Sequence, residues 1–98
     1  MYGTVARMQV KPGMLEQITR AAEDQAREIR GMIFEYTFQM DDDPNVCYLA
    51  VGFESKDAYV ANAESPEQNA RYQQYRQYLS TEPEWHDGQI IQTMKPMG

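Results

Sequence analysis

The sequence predicts a single α+β domain whose strands and helical segments follow the order β-α-β-β-α-β. Apolar residues alternate with period two in four stretches, and they recur every three or four residues in the helical segments between them. A short polar turn joins the second and third of these strands, which indicates an antiparallel hairpin. This order is that of a ferredoxin-like domain, a four-stranded antiparallel sheet with helices on one face. The 98 residues fit one domain, with residues 94–98 as a tail.

The first strand is predicted over Gly3–Val10, where apolar and polar residues alternate, and Lys11-Pro12-Gly13 stops it. A helix follows over Met14–Arg30 and ends at Gly31, since glycine readily adopts the left-handed conformation of a helix terminus. One side of this helix carries Leu15, Ile18, Ala22, Ala26 and Ile29. Their spacing of three or four residues predicts that this side packs on the sheet.

The central hairpin is predicted over the strands Met32–Met40 and Val46–Glu54, joined by the turn at residues 41–45. One side of the second strand carries Phe34, Tyr36, Phe38 and Met40. If helices cover only one face of the sheet, the other face must be covered by something else. A second copy of the chain is the simplest cover, so we expect a homodimer.

The second half of the chain begins with Ser55 as the cap of a short helix over Lys56–Ala63. Ser65 followed by proline starts a second helical segment, which runs to about Leu79. Thr81-Glu82-Pro83 then breaks the helix, and His86–Met94 is predicted as the last strand.

Charge and composition exclude several classes of protein. Fifteen acidic and nine basic residues give a net charge of −6, and such a chain is repelled by nucleic acid. The amino-terminal segment lacks the pattern of a signal peptide, and no apolar run reaches the ~20 residues of a membrane helix, so we expect a cytoplasmic protein. With one cysteine, Cys47, and one histidine, the chain cannot assemble a cluster of metal ligands, so we expect no bound metal.

Four segments resemble the antibiotic biosynthesis monooxygenase (ABM) domain of the dimeric α/β-barrel superfamily. They are VKPG at 10–13, DDDPNVCYLAVGFES at 41–55, KDAYVANAESPE at 56–67 and DGQI at 87–90. The resemblance spans nearly the whole chain. It implies a homodimer whose two sheets pack face to face, with a pocket between the sheet and the helices of each subunit.

The activities that the resemblance implies are varied. Some members oxidise polycyclic phenols or quinols with molecular oxygen and without metal or flavin, others bind and open haem, and many have no known activity. Haem-opening members use a histidine in the helix after the third strand, where this chain has Asn62. Many relatives also carry an acidic residue inside the third strand, at the position that Val51 occupies here.

The side chains that could carry chemistry lie mainly in the second half of the chain. His86 has the only side chain whose ordinary ionisation lies near neutral pH, which makes it a candidate base, or it could be a residue of the strand edge or of the dimer contact. Strand alternation directs Trp85 and Asp87 to one side and His86 to the other, so these three neighbours do not form a triad. Asn62 could orient or help to deprotonate a substrate, or could cap its helix.

Aromatic side chains are the candidates for binding a substrate. Tyr72 and Tyr75 could donate hydrogen bonds to a substrate oxygen, or could simply pack their helix on the sheet. Trp85, Phe34 and Tyr36 could form an apolar wall, or could be plain core residues. Arg71 and Arg76 are expected on the solvent side of the same helix.

The function that these features favour is a cofactor-independent monooxygenase acting on a small aromatic or quinol substrate. A phenolate can give an electron to oxygen directly, so such a protein need only deprotonate the substrate, orient it and exclude water. The alternatives are a non-catalytic dimer that binds a small ligand or serves in a stress response, and a haem-binding or haem-degrading protein.

Overall fold

A computed structural model describes residues 1–96 as a four-stranded antiparallel sheet with three helices over one face. The elements are β1 (Tyr2–Gln9), α1 (Leu15–Ala26), β2 (Met32–Gln39), β3 (Val46–Phe53), α2 (Lys56–Ala63), α3 (Pro66–Arg76) and β4 (Glu84–Gln89). The strands lie in the order β2-β3-β1-β4, and every neighbouring pair is antiparallel. The predicted ferredoxin-like fold is confirmed.

Side-chain caps begin α2 and α3 at the predicted serines. Ser55 Oγ accepts a hydrogen bond from the Ala58 amide at 3.0 Å, and Ser65 Oγ accepts one from the Gln68 amide at 3.1 Å. Each serine therefore satisfies a backbone donor that the first helical turn leaves without a partner. Pro66 is the first residue of α3, where its missing amide costs no helical hydrogen bond.

Helix α1 is shorter than its apolar pattern predicts, ending at Ala26 rather than at Arg30. The next amides bond three residues back, from Glu28 to Gln25 O and from Ile29 to Ala26 O, so the last turn tightens. Gly31 then adopts a φ of 81°, and its carbonyl accepts the Glu54 amide at 2.9 Å. The chain must turn back here to begin β2, and this requirement ends the helix.

Strand β4 also differs from the prediction, since it covers Glu84–Gln89 rather than His86–Met94. Its partner β1 begins at Tyr2, which pairs with Gln89, so β1 offers no further strand residues for pairing. One last bond, from the Ile90 amide to Met1 O, closes the ladder. Residues 91–96 have no regular secondary structure, and the last two residues of the predicted tail, 97 and 98, lie outside the described chain.

The register aligns side chains into rows across the four strands, one set on each face. On the face toward the helices, here called the cavity face, Glu35, Val51, Thr4 and Asp87 form one row, named the acid row. On the opposite face, here called the open face, Phe34, Gly52, Gly3 and Gly88 form the neighbouring glycine row. Each member of one row adjoins a member of the other along its strand.

The hydrophobic core occupies one end of the cavity face. Its buried members are Met8, Val10, Ile18, Cys47 and Leu79, with Leu15, Tyr75 and Tyr78 packed against them. Leu79 follows α3 and forms an isolated bridge with Val10, which ties the end of the helix to the end of β1. This cluster therefore packs one end of the sheet, and a cavity lies over the acid row.

The open face carries large apolar side chains that no other part of residues 1–96 covers. Val5 is 48% exposed, Phe38 54% and Tyr36 60%. The aromatic side of β2 therefore lies on the face that the helices leave uncovered. Of the helices between residues 1 and 96, none has the length and apolar character needed to cross a membrane.

Candidate functional site

A cavity of about 510 Å³ lies between the cavity face and the three helices. Its floor comes from alternate residues of the strands, and the acid row crosses it completely. The apolar part of its lining includes Met8, Ile18, Ala22, Ile29, Met32, Leu49, Val51 and Phe53. This volume lies within the ~300–1,000 Å³ range typical of small-molecule sites.

A polar cluster on α2 and α3 forms part of the cavity wall. Arg71 Nη1 donates to Gln68 Oε1 at 3.0 Å and makes a longer contact of 3.4 Å with Asn62 Oδ1. Asn62 Nδ2 donates in turn to Gln68 Oε1 at 3.3 Å. Among residues 1–96, no carboxylate forms an ion pair with Arg71. The cluster therefore presents a cation and an amide to the cavity without an acidic partner.

Glu35 and Tyr75 line the cavity close to this cluster, and both are partly buried. Burial raises the pKa of the Glu35 carboxyl above its ordinary value of 4.5. Burial also raises the pKa of the Tyr75 hydroxyl, the Glu35 charge raises it further, and Arg71 opposes both effects. Tyr75 therefore stays neutral as a potential donor, between a carboxylate and a guanidinium that both act on it.

Asp87 lies at the other end of the acid row, and its carboxylate already has a partner. The Tyr59 hydroxyl donates to Asp87 Oδ1 at 2.8 Å, and burial followed by this bond raises the pKa of Tyr59 to about 12. Three strand spacings separate Glu35 from Asp87, roughly 14 Å between their Cα atoms. In the described part of the chain, no three acidic, histidine or cysteine side chains come together as a metal site.

Two buried oxygens at the cavity lack a hydrogen-bond partner within residues 1–96. They are Thr4 Oγ1, in the middle of the acid row, and Gln25 Oε1 on α1. The amide nitrogen of Gln25 is bonded, since it donates to Gln74 Oε1 at 2.6 Å and links α1 to α3. An unpaired buried polar atom costs roughly 1–3 kcal/mol, and a polar ligand in the cavity would relieve that cost.

The rim of the cavity is formed where α3 leads into β4. The Tyr72 hydroxyl donates to Glu82, whose other carboxylate oxygen accepts Arg76 Nε at 3.1 Å. These two bonds, the one from Tyr72 above all, lower the pKa of the Glu82 carboxyl. Trp85 lies beside this cluster on the cavity face and is 48% exposed. Tyr72 therefore has its hydroxyl engaged at the rim, unlike Tyr75 deeper inside.

Four of the side chains predicted for the site from the sequence line this cavity: Asn62, Tyr72, Tyr75 and Trp85. They come from α2, α3 and β4, and the fold brings them together as the helices cross the sheet. The Asn62 side chain bonds only to side chains of α3, so it does not cap its own helix.

The other three predicted side chains, His86, Phe34 and Tyr36, lie on the open face and do not line the cavity. His86 pairs with Val5, whose side chain points away from the helices. The Nε2 atom of His86 lies 3.6 Å from Glu84 Oε1. Phe34 lies against Gly52, and its ring stacks on Tyr36 at 5.3 Å between centroids. The period of two along each strand, combined with the register, decides this placement.

The sequence analysis missed several cavity residues, among them Glu35, Thr4 and Arg71. Arg71 was expected on the solvent side of α3, but it lies partly buried against Asn62. The signal for Glu35 was present in β2, because its aromatic side faces away from the helices and its polar side must then face them. No comparable pattern marks Thr4 in the sequence.

The fold and the site together define a small α+β domain with a ligand-sized cavity under its helices. No protein-family model matches the sequence, and no curated protein does. Solved structures with the same fold are numerous. A protein from Chloroflexus aurantiacus described as a candidate antibiotic biosynthesis monooxygenase superposes with a TM-score of 0.80, at 17% identity and with 96% of each chain covered.

Two other structures have the same fold. SnoaB from Streptomyces nogalater, described as a cofactor-independent oxygenase, matches with a TM-score of 0.77 at 19% identity, with 97% of each chain covered. A Nitrosomonas europaea protein of unknown function matches with a TM-score of 0.75 at 17% identity, covering 99% of this chain and 95% of its own. The chain therefore shares the fold of the antibiotic biosynthesis monooxygenase structures.

Proposed function

We propose that this protein is an ABM-type, cofactor-independent monooxygenase that oxidises a small aromatic substrate, a phenol or quinol, with molecular oxygen. The observation that carries the proposal is the cavity itself, with a mainly apolar lining and an Asn62–Arg71–Tyr75 wall. A flat aromatic ring fits the floor, and its oxygen can meet the polar wall. The fold supports the same proposal, since SnoaB is described as an oxygenase of this kind.

In this proposal the protein binds the phenol and stabilises its anion. Arg71 and Asn62 face the substrate oxygen, where a cation and an amide donor favour the phenolate. Tyr75 donates a further hydrogen bond, while Tyr72 and Trp85 close the rim and limit the access of water. The unpaired Thr4 hydroxyl gives a second polar contact on the floor.

The overall reaction balances without an added reductant. A phenol that carries hydrogen on the para carbon reacts with one O₂ to give the para-quinone and one water. One oxygen atom forms the new C=O bond, and the other leaves as water with the para hydrogen and the hydroxyl hydrogen. The substrate supplies all four electrons, and the residues of the chain only move its proton and hold its anion.

Oxygen uptake tests this proposal directly. Purified protein is mixed with 1-naphthol and a panel of hydroquinones, with heat-denatured protein as the control for spontaneous oxidation. We expect uptake above the control, and one atom of ¹⁸O from labelled oxygen in the 1,4-naphthoquinone formed. If no phenol or quinol raises uptake while the protein still binds them, the protein is a non-catalytic ligand-binding protein and the proposal fails.

Two variants separate the residues that the sequence suggested for catalysis. Asn62→Ala is expected to lower the turnover number about 10- to 100-fold, because it removes a donor aimed at the developing anion. His86→Ala removes a side chain of the open face, which lies outside the cavity. A comparable loss in His86→Ala, with Asn62→Ala unaffected, would place the reacting site on the open face and overturn the assignment of the cavity.

Haem handling is the least supported alternative. The only histidine of the chain lies on the open face, and Asn62 offers the cavity an amide in place of an imidazole. Imidazole is a common iron ligand, whereas an amide is a poor one. A sharp Soret band on titration with haem, lost in Asn62→Ala, would restore this alternative.

We also propose that the protein is a homodimer that pairs through its open faces. Exposed apolar side chains on a sheet face are costly in a monomer, and Val5, Tyr36 and Phe38 form such a patch. The self-complementary contact of a two-fold dimer would cover both copies at once. A reducing cytoplasmic location is proposed as well, since Cys47 is free and buried, and burial raises the pKa of its thiol.

A further inference from the structure

Glu35 is the one carboxylate that the cavity holds without a partner. It points into the cavity from β2, directly across from Val51, at the end of the acid row. Within residues 1–96 it forms no salt bridge, and no side chain donates a hydrogen bond to it. Asp87, at the other end of the row, already accepts the Tyr59 hydroxyl at 2.8 Å. The two acids of the row therefore differ: one is engaged and the other is free to accept a proton.

The surroundings of Glu35 suit a proton acceptor. Partial burial removes water from the carboxyl and raises its pKa above 4.5, which makes the carboxylate a stronger proton acceptor than an exposed glutamate. Its charge acts on Tyr75 of α3, on which Arg71 also acts, and the exposed Glu23 of α1 lines the same groove. Tyr59 and Asp87 lie across the cavity. Arg71 is close enough to act on Tyr75, as Glu35 does, so cation and carboxylate flank the same phenol ring.

Glu35 also lines a second hollow. A groove of about 430 Å³ lies between α1 and the outer edge of β2, and Glu35 borders both the groove and the cavity. The groove is further lined by Thr19, Ala22, Glu23, Ala26, Met32, Ile33, Phe34 and Thr37. A proton taken up on the cavity side can therefore leave through the groove without passing the bound ligand.

We propose that Glu35 is the proton acceptor of this site, and that the cavity takes its phenol in the neutral, protonated form. This inference rests on the proposed function and adds the base that it lacks. The phenol O–H bond breaks, its electron pair stays on the substrate oxygen, and the proton bonds to a carboxylate oxygen of Glu35. Arg71 and Asn62 hold the resulting phenolate, and the proton passes from Glu35 to water in the groove.

The first test is binding, which needs no turnover. The affinity for 1-naphthol is measured by fluorescence under argon from pH 4 to pH 8, where the free naphthol is neutral. In the wild type the affinity should rise as Glu35 ionises, because a carboxylate accepts a hydrogen bond more strongly than a neutral group does. In Glu35→Gln the affinity should be independent of pH, and about 10-fold weaker than wild type at pH 8.

Glu23→Gln is the matched control, because it removes a carboxylate that lines the groove but not the cavity. It should bind 1-naphthol as the wild type does at every pH. The inference is overturned if Glu35→Gln keeps the pH dependence of the wild type, or if Glu23→Gln loses it.

The second test is turnover in air. Glu35→Gln is expected to lower kcat about 100-fold with little change in KM, and to remove the acid limb of the pH–rate profile. Glu35→Asp keeps a carboxylate and should keep that limb at a reduced kcat. Full activity in Glu35→Gln, with the acid limb intact, would overturn the inference and leave the proposed oxygenase standing. If even the wild type consumes no oxygen, the proposed function fails, and the binding test alone decides whether Glu35 accepts the proton.

Discussion

The two faces of this sheet have opposite characters, although the same four strands form both. On the cavity face, the acid row places Glu35 and Thr4 under the helices, where polar groups are costly. On the open face, the aromatic side chains of Tyr36 and Phe38 in β2 are exposed to solvent. In a stable monomer the reverse would be expected. The polar groups under the helices support the proposed ligand, and the exposed apolar groups support the proposed homodimer.

The glycine row shows why the open face is flat. A Cβ atom on Gly52 would overlap the ring of Phe34, and one on Gly3 would overlap the Val51 carbonyl oxygen. The ring of Phe34 therefore packs against the sheet instead of projecting into solvent. By contrast, the side chains of the acid row project into the cavity. The two faces therefore differ in shape as well as in polarity.

The largest effect is expected from a charge on the open face. Phe38→Glu puts a carboxylate into the proposed dimer contact of each copy, and burying it would cost about 2 kcal/mol per copy. The dimer dissociation constant should rise roughly 1,000-fold, as measured by sedimentation equilibrium. Val60→Glu makes the same exchange on the exposed surface of α2 and should leave the dimer intact. A Phe38→Glu protein that remains dimeric would show that the copies pair elsewhere.

A smaller effect is expected within the glycine row itself. Gly3→Ala should lower the free energy of unfolding by about 3 kcal/mol, since β1 and β3 must move apart to admit the methyl group. Urea denaturation measures this change. Gly88→Ala lies in the same row on the edge strand, where nothing lies within 4 Å of a new Cβ, and should change stability by less than about 0.5 kcal/mol. Equal effects at the two positions would contradict the close packing of β1 on β3.

The smallest effect concerns the cavity face and depends on pH. Burial raises the pKa of Glu35 above 4.5, so the folded protein holds this proton more tightly than the unfolded chain does. The stability that this group contributes is complete below pH 4.5 and is lost as the pH rises through the folded-state pKa. In Glu35→Gln, stability is not lost in this way as the pH rises. The variant should therefore be modestly more stable than the wild type at pH 7.

Thermal unfolding at pH 4 and pH 7 checks this prediction. The gain should appear at pH 7 and vanish at pH 4, and Glu23→Gln, at an exposed position of α1, should show no such gain. A variant less stable than wild type at pH 7 would mean that Glu35 holds the fold together instead of being kept for a ligand.

Much of the fold could be predicted from the sequence, because its local signals agree with one another. The serine caps, the alternation in β1 to β3 and the apolar side of α1 each specify an element that the structure contains. The errors lie at α1 and β4, whose ends are decided by other parts of the chain. Strand β4 stops where β1 has no residue left to pair, although its own sequence continues with Ile90 and Ile91.

The candidate site was harder to predict than the fold. Aromatic and amide residues of α2 and α3 could be found from their spacing, and Asn62, Tyr72 and Tyr75 do line the cavity. His86 was chosen for its chemistry, yet its place in the register turns it to the open face. Glu35 was not predicted as a site residue because a glutamate in a strand is usually exposed to solvent. Only the helices that pack over the sheet bury it partly.

By itself the sequence determined the order of the elements, the capped starts of two helices and the apolar side of β2, since each depends on residues close together in the chain. Only the tertiary structure decided which side chains meet. The acid row joins residues 4, 35, 51 and 87 through hydrogen bonds between three pairs of strands. A shift of one residue in any pair would move its side chains to the other face, so this row depends on the register of the whole sheet.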